Sequence, residues 1–215
     1  IMSIIVDGNK IANEILEDLR VRIRDLKKKP KLMVFLVGEN SASQVYVRIK
    51  QKKAAEIGMT VAIQKFEDHM DEDDLIGKIK AKNGDPEVSG IIVQLPLPEH
   101  IDTNAVLNTI HPELDVDCLT DVNLGKLVMK TNNIVPPTPG AVISILDELQ
   151  VDLVGKNVTI IGVGPLVGKP LAIMMMNARA SVTTCNSKTR DAKEKCLAAD
   201  IIITGVGKKD ILHGD

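Results

Sequence analysis

Apolar residues follow two different patterns in the first hundred residues. Between the Asp7-Gly8 turn and Pro30 they recur every three or four positions, the period of an amphipathic helix. Residues 32–37 and 90–95 are instead short and almost wholly apolar runs, typical of strands covered on both faces. Between these runs, helices are predicted from Ser41 or Ser43 to Gly58 and over 71–82, with a strand over 60–66. The β-α-β-α-β order predicts a parallel sheet.

A second alternation of strands and helices follows an irregular, proline-containing segment over residues 96–139. Helical spacing resumes over 141–149, where we expect the first domain to end. The pattern beyond predicts strands over 156–162, 181–185 and 200–206 and helices over 166–178 and 191–199. The predicted fold class is therefore α/β with two domains, 1–150 and 151–215, the second a Rossmann-type dinucleotide-binding domain. Three strands are few for such a sheet, so we expect the second domain to be truncated.

Charge and composition exclude several classes of partner. The chain has 215 residues with 27 basic and 29 acidic side chains, and only three aromatic residues: one Tyr and two Phe. A nucleic acid or an acidic membrane surface requires a clustered positive field, so neither is expected as a partner. No apolar stretch approaches the ~20 residues that span a bilayer, which favours a cytoplasmic location. The cysteines lack CxxC spacing and the histidines HxxxH spacing, so no metal is expected.

A glycine-rich turn connects the strand and the helix that open the second domain. Gly162, Gly164 and Gly168 give the spacing GxGxxxG, in which glycines permit a tight turn and close approach of a pyrophosphate to a helix N-terminus. The usual dinucleotide spacing is GxGxxG. From the motif alone, dinucleotide binding and an ordinary tight turn both remain open.

The end of the next predicted strand bears on which dinucleotide is bound. An NAD site usually has an Asp or Glu there to bind the ribose 2′-hydroxyl, but residues 185–190 read CNSKTR and contain no acid. A loop with hydroxyl and cationic side chains accommodates a 2′-phosphate, which favours NADP and makes NAD less likely. A solvated helix start is the alternative explanation for Lys188 and Arg190.

Five polar residues of the first domain are candidates for catalysis or binding. Tyr46 and Lys50 lie four residues apart on a predicted helix and so project from one face, although a packed Tyr beside an exposed Lys head would give the same pattern. Gln94 ends a predicted strand, where open α/β sheets bind ligands. Asp115 and Asp117 lie in the irregular segment, where a carboxylate can accept paired N–H bonds from a ring such as a pterin.

These motifs together resemble one family. SQVYVRIK from Ser43 to Lys50, GIIVQLPLP from Gly90, DVD from Asp115, PPTP from Pro136 and VGKP from Val167 occur in the order and spacing of the bifunctional methylenetetrahydrofolate dehydrogenase/methenyltetrahydrofolate cyclohydrolase family. Any one block is a weak signal. The five blocks in order extend the resemblance over nearly the whole chain.

The resemblance implies a homodimeric two-domain enzyme of one-carbon metabolism, with folate in a cleft between the domains and NADP on the second. It would oxidise 5,10-methylenetetrahydrofolate and hydrolyse the methenyl product to 10-formyltetrahydrofolate without a metal. Lys50 would handle the proton of the hydrolysis, with Tyr46 packed on the pterin, Gln94 orienting Lys50 and Asp117 anchoring the ring. Further folate contacts would be Ser43, Leu95 and Pro96, and further cofactor contacts Gly162, Val163, Gly164, Val167, Gly168, Ser187, Lys188 and Arg190.

The chain departs from the family at several positions. Val163-Gly164 stands where Arg-Ser is common, so Ser187, Lys188 and Arg190 must carry more of the 2′-phosphate binding. Asn186 replaces a common His, Cys118 a Gly, Pro137 a Cys and Ala141 a Gly, and the terminal GGVGP element and final helix are absent. Two alternatives remain: an NAD-dependent dehydrogenase without cyclohydrolase activity, and a non-catalytic dinucleotide-binding module.

Overall fold

The computed structural model describes residues 4–208 and 211–213, so the terminal residues of both predicted domains lie outside the described part. Within it the chain forms two compact units, one ending at Asn123 and the other beginning at Leu124. No helix of these residues is long and apolar enough to cross a membrane.

The first unit contains a parallel three-stranded sheet in the order β2-β1-β3. Helices follow β1 and β2, and the predicted β-α-β-α-β order is confirmed. The elements are α1 (Gly8–Arg24), β1 (Lys31–Val37), α2 (Ser41–Glu56), β2 (Thr60–Phe66), α3 (Glu72–Asn83), β3 (Gly90–Val93) and α4 (Thr103–Asn108).

The sheet of the first unit is buried on both faces because its central strand is continuously apolar. On one face Phe35 stacks on Phe66, with ring centroids 6.2 Å apart, and contributes to a core that includes Leu75 of α3. On the other face Val34 packs with Val47 of α2. The contacts on the two faces hold α2 and α3 on opposite sides of the sheet. Because α2 follows β1 along the chain, it begins beside the carboxyl end of that strand.

The second unit contains another parallel sheet, in the order β5-β4-β6. Its core combines Val158 and Ile160 of the central strand with Leu171 and Met175 of the following helix. The predicted strand and helix alternation is confirmed. The elements after α4 are α5 (Asp121–Val128), α6 (Pro137–Glu148), β4 (Asn157–Ile161), α7 (Gly168–Asn177), β5 (Ser181–Cys185), α8 (Ala192–Leu197) and β6 (Ile201–Thr204).

The boundary between the compact units differs from the one expected near residue 150. Leu146 of α6 is buried in the same core as Val158 and Leu171, so α6 packs as part of the second unit. Helix α6 also begins at Pro137 rather than at Ala141, because proline at the first helical positions needs no N–H partner.

Candidate active site

Helix α2 and the end of β3 bring two polar side chains together in the first unit. Lys50 Nζ donates a hydrogen bond to Gln94 Oε1 at 3.2 Å, although 44 residues separate the two in sequence. Gln94 follows directly after Val93, the last residue of β3, at the carboxyl end of the sheet. The Asn40 side chain caps α2 by accepting from the Ser43 N–H at 3.0 Å, which fixes where the helix begins.

The carbonyl oxygen of Leu95 orients the Gln94 amide. It accepts hydrogen bonds from Gln94 Nε2 at 3.0 Å and from the Ser43 hydroxyl at 3.2 Å. With its NH₂ group held by this carbonyl, the amide presents its oxygen to Lys50. The following peptide bond, between Leu95 and Pro96, is cis. Ser43, Leu95 and Gln94 therefore form one connected group that aims an acceptor at the lysine.

Asp117 is the carboxylate that lies within electrostatic reach of Lys50. Burial raises the pKa of Asp117 above its usual range; the Lys50 charge acts in the opposite direction, and the Asp115 charge raises this pKa further. The side chain is only partly buried, so a ligand can reach it. A half-buried carboxylate beside an amine can both accept hydrogen bonds and balance a positive charge.

Asp115 has a different environment, which corrects the expectation that it too could bind a ring. Its buried carboxylate accepts hydrogen bonds from the backbone N–H groups of Leu119 (3.1 Å) and Thr120 (2.9 Å), from the Thr120 hydroxyl (2.8 Å) and from the Asn123 amide (2.9 Å). These hydrogen bonds use the acceptor positions of the Asp115 carboxylate, so it is not available to a ligand. The sequence pattern does not single out Thr120 and Asn123, because nothing marks them before the loop is folded.

Tyr46 lies one helical turn before Lys50 and is 60% exposed. This exposure rules out the alternative that Tyr46 is a packed core residue. Val47, its neighbour in sequence, is instead buried against the sheet. The Tyr46 ring is therefore free to stack on a planar ligand beside Lys50.

The glycine turn of the second unit is built for close backbone packing. Gly162 has φ +95°, which L side chains rarely adopt, and a Cβ at Gly168 would lie 1.8 Å from the Gly162 carbonyl oxygen. A Cβ at Gly164 would meet no atom within 4 Å. Gly162 thus permits the turn, Gly168 permits α7 to approach it, and Gly164 leaves open space at the helix N-terminus, as a pyrophosphate would require.

Residues 186–190 form a loop at the same edge of this sheet as the glycine turn. The Gly162 N–H donates to the Cys185 carbonyl at 2.8 Å and so joins the start of the turn to the start of the loop. The Thr189 hydroxyl accepts from the Asn186 N–H, and the Asn186 side chain from the Lys188 N–H, both at 2.8 Å. Ser187, Lys188 and Arg190 are exposed, and their side chains make no hydrogen bond or ion pair within the described residues. Val163 and Val167, the remaining predicted contacts, are partly buried in the turn.

Two family models match the two halves of the chain. The tetrahydrofolate dehydrogenase/cyclohydrolase catalytic domain matches residues 6–117, and the NAD(P)-binding domain of the same enzymes matches residues 136–215. Among curated relatives, the bifunctional protein FolD of Wolbachia sp. subsp. Drosophila simulans (strain wRi) is 44% identical over 219 residues, covering 100% of this chain and 75% of the relative.

Solved structures agree with these matches. FolD from Campylobacter jejuni superposes with a TM-score of 0.94 at 36% identity, over 96% of this chain and 75% of the other. The Trypanosoma brucei enzyme, solved with NADP and an inhibitor, gives a TM-score of 0.91 at 33% identity, over 96% of this chain and 72% of the other.

The fold and the matches define an α/β enzyme with a catalytic domain followed by an NAD(P)-binding domain. The chain belongs to the tetrahydrofolate dehydrogenase/cyclohydrolase family. The sequence-based prediction of this family, of its two-domain fold and of its two activities is therefore confirmed.

Proposed function

We propose that the chain oxidises 5,10-methylenetetrahydrofolate with NADP and hydrolyses the methenyl product to 10-formyltetrahydrofolate at the site formed by Lys50, Gln94 and Asp117. The observation that carries this assignment is the 3.2 Å hydrogen bond from Lys50 to Gln94. This bond supports the assignment because it gives the lysine amine a defined orientation. Asp117, on whose pKa the Lys50 charge acts, is the carboxylate of the 115–117 segment that has acceptor positions left for a ligand.

Each residue has a distinct role in the proposed site. Asp117 accepts hydrogen bonds from the N–H groups of the pterin and holds the ring, while Tyr46 stacks on its face. Lys50 handles the proton of the water that attacks the methenyl carbon, and Gln94 holds the lysine amine in position for this transfer. Ser43, Leu95 and Pro96 support the site by fixing the Gln94 amide and the loop after β3.

The dehydrogenase step uses the same folate position. A bound nicotinamide supplies the acceptor for the hydride that leaves the methylene bridge of the folate. The chain contributes the glycine turn of Gly162, Gly164 and Gly168, in which Gly164 leaves space for a pyrophosphate at the helix N-terminus. The reaction leaves a cationic methenyl folate, whose charge the Asp117 carboxylate stabilises.

NADP is the proposed dinucleotide. Ser187, Lys188 and Arg190 are uncommitted side chains on a preorganised loop, and their hydroxyl and cationic groups suit a 2′-phosphate. The T. brucei relative was solved with NADP, which supports the same choice. Val163 offers no positive charge, so Lys188 and Arg190 supply the charge in this chain. No metal is required by this scheme.

Assembly and location are proposed on narrower grounds. A homodimer follows from the family resemblance alone. Within the described part of the chain, Cys118, Cys185 and Cys196 are not joined in disulfides, which fits a reducing compartment and supports a cytoplasmic location.

Replacement of Lys50 separates the two activities. We expect Lys50→Met to retain reduction of NADP but to lose hydrolysis of the methenyl folate by about a hundredfold or more, because the group that handles the proton is removed. Both can be followed in one reaction through NADPH formation and methenyl accumulation. Lys52→Met, an exposed lysine on the same helix, is the matched control and should behave as the parent chain. Undiminished hydrolysis in Lys50→Met would refute the role of Lys50.

A further inference from the structure

Among the residues that the structure describes, the buried carboxylate of Asp115 has no cationic partner at hydrogen-bonding distance. Its side chain is 1% exposed, and its four donors are all neutral groups. None of the ion pairs formed by the described residues includes it. Burying an unpaired charge costs free energy, and a neutral side chain could close a loop at lower cost. Closure of the loop therefore does not by itself explain why the negatively charged Asp115 is buried here.

The hydrogen bonds of Asp115 determine where Asp117 lies. They wrap residues 115–120 around the Asp115 carboxylate, and Asp117 is in the middle of this turn. The Ile91 N–H donates to the Leu114 carbonyl at 2.7 Å, which ties the start of the loop to β3. The Asn123 amide donates to both Asp115 and the Pro112 carbonyl, at 2.9 and 2.8 Å, and ties down the end. The loop is thereby fixed relative to the strand that carries Gln94.

We propose that Asp115 is a positioning residue for folate binding. Asp115 fixes the 115–120 loop so that the Asp117 carboxylate stays beside Lys50, and the negative charge of Asp115 makes Asp117 a stronger hydrogen-bond acceptor. This inference rests on the proposed function, in which Asp117 holds the pterin. Asp115 then contributes to folate binding through Asp117, although its own oxygens accept hydrogen bonds from the loop and do not contact the ligand.

The electrostatics of Asp117 agree with this role. Burial raises the pKa of Asp117, and the charged groups that act on it are Lys50 from α2, which lowers this pKa, and Asp115 from its own loop, which raises it. The neighbouring thiol, Cys118, is neutral, because burial raises its pKa to about 11. A more basic carboxylate forms stronger hydrogen bonds to N–H donors. Ionised Asp117 is required for binding, so affinity for folate falls as pH drops through this raised pKa.

Asp115→Asn tests the proposal through two kinetic readouts. We expect the KM for the folate to rise about tenfold at neutral pH, because the donors of the loop lose a charged acceptor, while the KM for NADP is unchanged. We also expect the acid limb of kcat/KM for the folate to move to lower pH, because a negative charge near Asp117 is removed. An unmoved acid limb with an unchanged folate KM, or lower stability alone, would overturn the proposal.

Thr120→Val provides a second test should Asp115→Asn not fold. It removes one donor from the loop but leaves the Asp115 charge in place. The folate KM should rise several-fold while the acid limb stays where it is, and an unchanged KM would contradict the positioning role. Asp117→Asn separates this inference from the proposed function. If Asp117→Asn leaves the folate KM unchanged, the proposed function itself is wrong; if it raises KM and the Asp115 variant does not, only the present inference fails.

Discussion

A single methyl group at Gly168 should destabilise the second unit. An added Cβ would lie 1.8 Å from the carbonyl oxygen of Gly162 and 2.8 Å from Cα of Val163. Both are backbone atoms that no rotamer change can move, so α7 has to shift away from the turn. Overpacking of this kind costs about 1–3 kcal/mol. In a unit of this size, the cost of Gly168→Ala lowers the midpoint of thermal unfolding by on the order of 10 °C.

Gly164→Ala is the matched control, because a Cβ there meets no atom within 4 Å and φ is not in the left-handed range. We expect this variant to keep the parent's unfolding midpoint but to bind NADP more weakly, since the methyl group occupies the space open to a pyrophosphate. Circular dichroism during heating, amide exchange of β4 and titration with NADP separate the two effects. Equal stability of Gly168→Ala and the parent chain, or equal destabilisation by both variants, would refute this interpretation of the turn.

Two further predictions concern ionisable groups of the first unit and the reactivity of thiols. Asp117→Asn should raise the folate KM and abolish the acid limb that ionisation of this carboxyl gives to kcat/KM; an unchanged limb at the parent's pH would assign that limb to another group. In the native chain at pH 8, iodoacetamide should label the partly exposed Cys196 before Cys118, because burial raises the pKa of the Cys118 thiol to about 11 and limits access of the reagent. Mass spectrometry of the labelled peptides reports the order, and faster labelling of Cys118 would contradict its burial.

The long elements could be predicted because their patterns are local. The continuous apolar run of β1 and the regular spacing of α1 each identify an element without reference to the rest of the chain. Helix α4 was missed because six residues contain too few turns to show a period, although Asp102 caps it. Helix α6 packs in the second compact unit because Leu146 contacts Val158, a tertiary contact that local spacing does not encode. The domain limits 1–150 and 151–215 stay a prediction.

The candidate site was predictable where position along an element decides the role. Gln94 follows a buried strand, so it was expected near the carboxyl edge of the sheet. A position of Lys50 beside Gln94 was expected only from the resemblance to the family. The residue pattern by itself could not distinguish Asp115 from Asp117, because both are carboxylates in one irregular segment; Asp117 was singled out only through the resemblance to the family. Only the folded loop, which places Thr120 and Asn123 around Asp115, leaves Asp117 as the carboxylate available to a ligand.

The most direct test of the whole account is an assay of the enzyme with 5,10-methylenetetrahydrofolate, with NADP and NAD compared and the methenyl folate followed in time. We expect reduction of NADP, conversion to 10-formyltetrahydrofolate and no build-up of the methenyl product. Reduction of NAD alone would contradict the role of Lys188 and Arg190, and persistent methenyl accumulation would contradict the role of Lys50. Absence of turnover with either dinucleotide would contradict the proposed function and favour a binding module.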